Sequence, residues 1–142
     1  MPLLNFTTKI SVDKTIGEIQ ECLRKHGASA VLTEWDDQGY ITAVSFKMSI
    51  NGQDIGFRLP TDWRPVLTLL EQDRKVARSL RNQDQALRVA WRITKDWVLA
   101  QMAIVETKMV TVPQVFLPYA VMKNGDTMFE NIAKNPQLLL GN

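Results

Sequence analysis

Cysteine, histidine and long apolar runs are nearly missing from this chain of 142 residues, and each shortage closes a functional class. A single cysteine, Cys22, cannot form a disulfide within the chain, which removes the small disulfide scaffolds and suits a reducing compartment. A single histidine, His26, leaves no Cys/His set at zinc spacing, so no metal site is expected. Cys22 and His26 stand four residues apart, one helical turn, where a Cys–His nucleophile pair is conceivable. Without an orienting third group, a small buried apolar role for Cys22 and a helix-end role for His26 account for them better. Glu34, Asp36 and Asp37 could hold a hard cation, yet turn chemistry explains that cluster adequately.

The absences continue. There is no phosphate-binding G-x-x-x-x-G-K, no G-x-G-x-x-G and no G-x-S-x-G, so neither an enzyme nor a cofactor is expected. No stretch approaches the roughly 18 uninterrupted apolar residues of a membrane span. The most apolar helical window, residues 98–105, is short and flanked by Lys95 and Glu106. Residues 1–11 lack the basic stretch and apolar core of a secretory signal. A cytosolic chain without membrane contact is therefore expected. Only 7 Gly and 6 Pro exclude a collagen-like or low-complexity chain, while 45% apolar and 23% charged residues exclude disorder.

What is present reads as one α+β domain over residues 1–142, a small antiparallel sheet of about four strands packed on a long, nearly buried helix. Residues 4–11 alternate, with Leu4, Phe6, Thr8 and Ile10 on one side, the period of a half-buried strand. Ser11 or Asp13 can cap a helix bearing Ile16, Ile19 and Leu23, with Gly27 as its terminator. Strands follow over residues 30–35, 40–50 and 53–59. The last two are joined by Asn51-Gly52, a pair suited to the positive φ angles of a type I′ turn. Val44, Phe46 and Met48 fall on the expected core face of the middle strand, together with Tyr40, Thr42 and Ile50. Thr61 or Asp62 can cap a helix through Trp63, Val66, Leu67 and Leu70, either breaking near Asp73 or continuing through Leu80. A second helix is expected over about residues 83–109, a turn with a short helix or extended segment over 110–118, and a short helix near 127–134.

The long helix carries two apolar faces. Ala86, Val89, Ala90, Ile93, Trp97, Ala100 and Ile104 form one, and Leu87, Trp91, Val98, Met102 and Val105 form the other. A surface helix needs only about 100° of apolar arc. Coverage on two sides is thus expected, by the domain core, which is the plainer account, or by a second copy in a homo-oligomer, to which Leu99 beside the polar strip lends weight.

Net charge is +2, but it is unevenly spread. Residues 1–63 hold six Lys/Arg and eight Asp/Glu, whereas residues 64–109 hold nine and five. Between residues 74 and 95 stand Arg74, Lys75, Arg78, Arg81, Arg88, Arg92 and Lys95 against one acid, Asp84. Five of the seven are arginine, which bonds phosphate oxygens in pairs. Arg74, Arg78 and Arg81 would share one face of a helix, and such a face can follow a nucleic-acid backbone. Trp35, beside a turn, is the ring best placed to stack a base. Nucleic acid, including single-stranded DNA, is the partner this pattern suggests. A solvated helix face, partly paired with neighbouring acids, is the plainer account of the same charges.

The stretch Trp91-Arg92-Ile93-Thr94-Lys95-Asp96-Trp97-Val98-Leu99-Ala100-Gln101 is followed by Gln114-Val115-Phe116-Leu117-Pro118-Tyr119 and preceded by a Gly52-to-Pro60 strand. This combination resembles a family of small uncharacterised bacteriophage and prophage proteins, over most of the chain. The resemblance implies a phage accessory protein in the host cytosol. It would act near replication or recombination, or on a host defence system as a module that inhibits or modulates a host or phage protein.

Overall fold

The computed structural model describes residues 2–140, and its order is helix, three strands, then helices. Helix α1 spans Val12–Lys25, strands β1, β2 and β3 span Ala30–Trp35, Ile41–Ile50 and Gln53–Arg58, and α2 spans Trp63–Gln72. Helix α3 spans Gln83–Glu106, α4 Val112–Phe116 and α5 Met128–Lys134. This is an α+β chain. It divides into two compact units: the chain up to Cys22 with Thr61–Gln101, and Leu23–Pro60 with the chain from Met102 onward. Among the described residues, no helix is long and apolar enough to cross a membrane.

In the second unit the sheet is an antiparallel meander, ordered β1-β2-β3. Asn51 (φ 52°) and Gly52 (φ 80°) take the left-handed conformations that a tight hairpin requires, setting Ile50 opposite Gln53. The register then places Val31, Phe46 and Phe57 in one row across the three strands. Phe46 and Phe57 stack at 5.2 Å, and Phe116 meets Phe46 edge-on at 5.4 Å. All three rings are buried. Phe116 arrives there because Thr111 and Gln114 form a capping box that starts α4, with Pro113 in its first turn. The segment after α4 covers the outer edge of β3, where Val121 N–H donates to the Gly56 carbonyl at 2.8 Å.

One irregularity reverses part of the expected pattern on β2. Glu34 pairs with Ala43 but Trp35 pairs with Ile41, so Thr42 is an extra residue bulged out of the ladder. Thr42 is exposed and its hydroxyl donates to the Glu34 carbonyl, while Ile41 is turned into the core. Val44, Phe46 and Met48 keep the expected inward face.

The sheet has three strands, not the four expected, because residues 4–11 do not form one. Asn5 adopts φ 64°, and Phe6 N–H and Thr8 N–H fold back onto the Leu3 and Asn5 carbonyls. The Phe6 and Thr8 carbonyls are taken by the amide of Gln85, at 2.8 and 3.1 Å. A strand needs such backbone groups for a neighbouring strand, so this side chain substitutes for the sheet. Helix α1 follows, with Ser11 Oγ accepting the Lys14 N–H, and ends at Gly27 (φ 98°).

The first unit has its own core of Leu70, Val76 and Ala86, with Phe6, Trp63, Val66, Leu67 and Leu80 packed on it. Asp62 caps α2 by accepting the Arg64 N–H, as its position suggested. Helix α3 has no exposed residue from Gln85 to Val98, but Leu99, Ala100, Ala103 and Ile104 are exposed. The helix expected to be nearly buried is therefore covered from Gln85 to Val98, and beyond that it is open on one side while Met102 stays buried.

The ring cluster should dominate the stability of the second unit. Phe116→Ala is expected to cost about 3–5 kcal/mol in urea unfolding. Thr111→Ala, which removes only the cap holding α4, should cost about 1 kcal/mol.

Candidate nucleic-acid interface

Arg74, Lys75, Arg78 and Arg81 follow the end of α2, and the end itself decides how they are displayed. Asp73 leaves the helix with an extended backbone (φ −91°, ψ 113°), and its Oδ1 accepts the Lys75 N–H at 2.9 Å. Val76 is buried at 2% exposure and pins the loop to the core. Arg74 and Lys75 thus sit in a turn, and Arg78 opens a short 3-10 turn, Arg78–Leu80. The shared helical face expected for Arg74, Arg78 and Arg81 does not form, because Asp73 ends the helix before any of them. Arg81 is half-buried instead. Its Nη2 donates to the Asp73 carbonyl at 3.1 Å and so closes the loop.

The three cations farther along α3 are engaged within the first unit. Arg88 Nε donates to Gln85 Oε1 at 2.9 Å. Arg92 Nη1 donates to Glu18 Oε2 at 2.9 Å and to Thr15 Oγ1 at 3.3 Å. Lys95 Nζ lies 2.8 Å from Asp96 Oδ1 and 3.9 Å from Glu18 Oε2. The Arg92 and Lys95 side chains are only 13% and 12% exposed. A phosphate could reach them only by competing with carboxylates already in place.

What remains displayed is a short basic loop. Arg74, Lys75 and Arg78 are exposed, and none has a side-chain partner among the described residues. By contrast, Arg58, Arg64, Arg81, Arg88 and Arg92 each donate to a named acceptor. Trp35 belongs to the other unit, at the end of β1, and is 61% exposed. His26 turns to Glu106, with Nε2 2.6 Å from Oε1, and Cys22 is half-buried. Among the described residues, no group of three or more His, Cys, Asp or Glu could hold a metal ion.

Sequence reasoning misses Glu18 and Asp96 as the residues that occupy Arg92 and Lys95. Glu18 lies 74 positions from Arg92, so no local spacing announces the pair. Asp96 is held in place on two sides, by Lys95 and by Asn5 Nδ2 at 2.9 Å. Burial pushes its carboxyl up, but the Lys95 and Asn5 hydrogen bonds and the Lys95 and Arg92 charges outweigh it and lower the pKa.

These contacts make two measurable statements. Glu18→Ala should destabilise the chain by about 1–3 kcal/mol in urea unfolding, because two poorly solvated cations lose a shared carboxylate. Asp96, with its folded pKa below the ordinary 3.8, adds stability above that value and loses it as pH falls through the folded one. Thermal melts from neutral pH into that acid range should therefore fall less steeply for Asp96→Asn than for the wild type.

No family model, curated protein or solved structure matches the chain.

Proposed function

We propose that this chain is a non-enzymatic accessory protein of a phage or mobile element that binds nucleic acid through Arg74, Lys75 and Arg78. The observation that carries this reading is selective pairing. Arg92 and Lys95 are neutralised by carboxylates, whereas the three loop cations stand exposed and unpaired within five residues. Such an arrangement supplies charge to a phosphate backbone without reading its sequence. Arg88, held by Gln85, and Arg92 and Lys95, held by carboxylates, serve the fold. Trp35 remains a separate exposed ring that the reading does not require. The resemblance to phage proteins supports the biological setting, with the host cytosol as the place of action.

Titration of labelled single-stranded and duplex oligonucleotides at two salt concentrations tests this. Binding should weaken with salt by about 0.7–0.9 in log–log slope for each phosphate contact. The double variant Arg74→Ala/Arg78→Ala should flatten that slope by nearly two contacts. No binding at low salt ends the proposal.

A second reading, a module acting on a host or phage protein, is favoured by the apolar surface of the second unit. Leu117, Met122 and Phe129 are 46%, 41% and 59% exposed, and residues 138–140 are three exposed leucines. Under this reading, affinity capture from host lysate yields a stoichiometric complex that survives nuclease and is lost in Leu117→Asp/Leu139→Asp. Recovery that depends on nucleic acid, or that both substitutions leave intact, counts against it.

A further inference from the structure

A cavity of about 410 Å³ opens beside the basic loop, within the first unit. Its volume falls in the range of small-molecule sites, roughly 300–1,000 Å³. Leu3, Leu69, Leu70 and Val76 supply an apolar wall, and the exposed Arg74 and Lys75 line the same space. Leu70 and Val76 are core residues, but Leu69 is 50% exposed, so the wall is reachable from solvent. Gln72 and Asp73 add polar groups. Asp73 Oδ1 is committed to the Lys75 N–H, and Oδ2 has no partner among the described residues.

Three chemistries therefore meet in one space: apolar surface, cations without carboxylate partners, and acceptors from Gln72 and Asp73. A bare phosphate uses only the cations and is repelled by Asp73. A purely apolar molecule leaves Arg74, Lys75 and Asp73 unused. A nucleotide satisfies all three, with its base against Leu3 and Leu69 and its phosphate on Arg74 and Lys75. An exocyclic amine of the base then reaches Gln72 or Asp73, the pairing a carboxylate makes with cytosine.

Resting on the nucleic-acid reading above, we infer that this cavity takes one unstacked base of a strand and so makes the basic loop selective for single strands. In a duplex that base must first be unpaired and unstacked, a cost that a single strand largely avoids. Arg78, three residues beyond Lys75, then contacts the phosphate of a neighbouring nucleotide. The cavity supplies strand selectivity, and the loop charges supply affinity common to both forms.

The test is a short labelled oligonucleotide, titrated as a single strand and as its duplex, with the wild type, Leu69→Gln and Leu3→Gln. Thermal melts confirm that each variant folds, and the two positions guard against the loss of either one. The wild type should favour the single strand by at least about tenfold, since unpairing and unstacking one base costs a few kcal/mol. Both substitutions should remove most of that preference while leaving duplex affinity and salt slope unchanged. In two-dimensional amide spectra, a nucleoside monophosphate should shift Leu69 and Val76, whereas inorganic phosphate should shift only Arg74 and Lys75. Equal affinity for both strand forms, or a preference that neither substitution alters, overturns the cavity inference and leaves phosphate binding standing. Absence of all binding at low salt overturns the proposed function and the inference with it.

Discussion

Gln85 is an amide with almost no contact with water, 1% exposed, and the first unit is arranged around its hydrogen bonds. Its nitrogen satisfies the Phe6 and Thr8 carbonyls and its oxygen accepts from Arg88, so one side chain ties down a segment nearly eighty residues away. A buried amide left without partners is costly, and so is a buried carbonyl. Each group therefore enforces the other's position. The N-terminal segment is held by side-chain bonds where a strand neighbour would otherwise be needed, and Asn5 adds a second tie through Asp96. Leu3, carried by that segment, becomes a wall of the cavity.

Charge is distributed by the same logic. Glu18 and Asp96 occupy the cations of α3 that stand in poorly hydrated positions, where an unpaired charge would be most expensive. Of the cations between residues 74 and 95, Arg74, Lys75 and Arg78 lie on a loop open to water, where remaining unpaired costs little. An excess of positive charge spread over residues 74–95 in sequence thus becomes a display of three side chains. Displayed charge and folding charge are separated by depth within the unit.

Signals confined to a few neighbouring residues are legible in the amino-acid sequence alone. Asn51-Gly52, Asp62 before Trp63, Ser11 before α1 and Gly27 after it each act through the backbone within four residues, and each does so here. The alternation of residues 4–11 is equally local, but it describes which way side chains point and not where the carbonyls find partners. Gln85 supplies those partners from a distance that no periodicity reports. The four- and three-residue spacing of Arg74, Arg78 and Arg81 carries meaning only if the helix continues, and Asp73 stops it. Arg92 looks free in sequence because Glu18, its carboxylate, lies on a different helix, whereas Lys95 is taken chiefly by Asp96, its neighbour in the chain. The bulge at Thr42 is hidden for a similar reason, since a ladder irregularity belongs to a pair of strands and not to either one.

That bulge carries a consequence for how the chain tolerates changes of length. Shortening a strand by one residue normally turns every side chain beyond the deletion to the wrong face. Here Thr42 is the unpaired extra residue between Ala43, which faces Glu34, and Ile41, which faces Trp35 and is already turned inward. Removing Thr42 would leave both pairings and both orientations as they stand, and would convert the bulge into regular ladder. Near the start of β2, the sheet keeps one position at which a codon can be lost without a frame error in three dimensions.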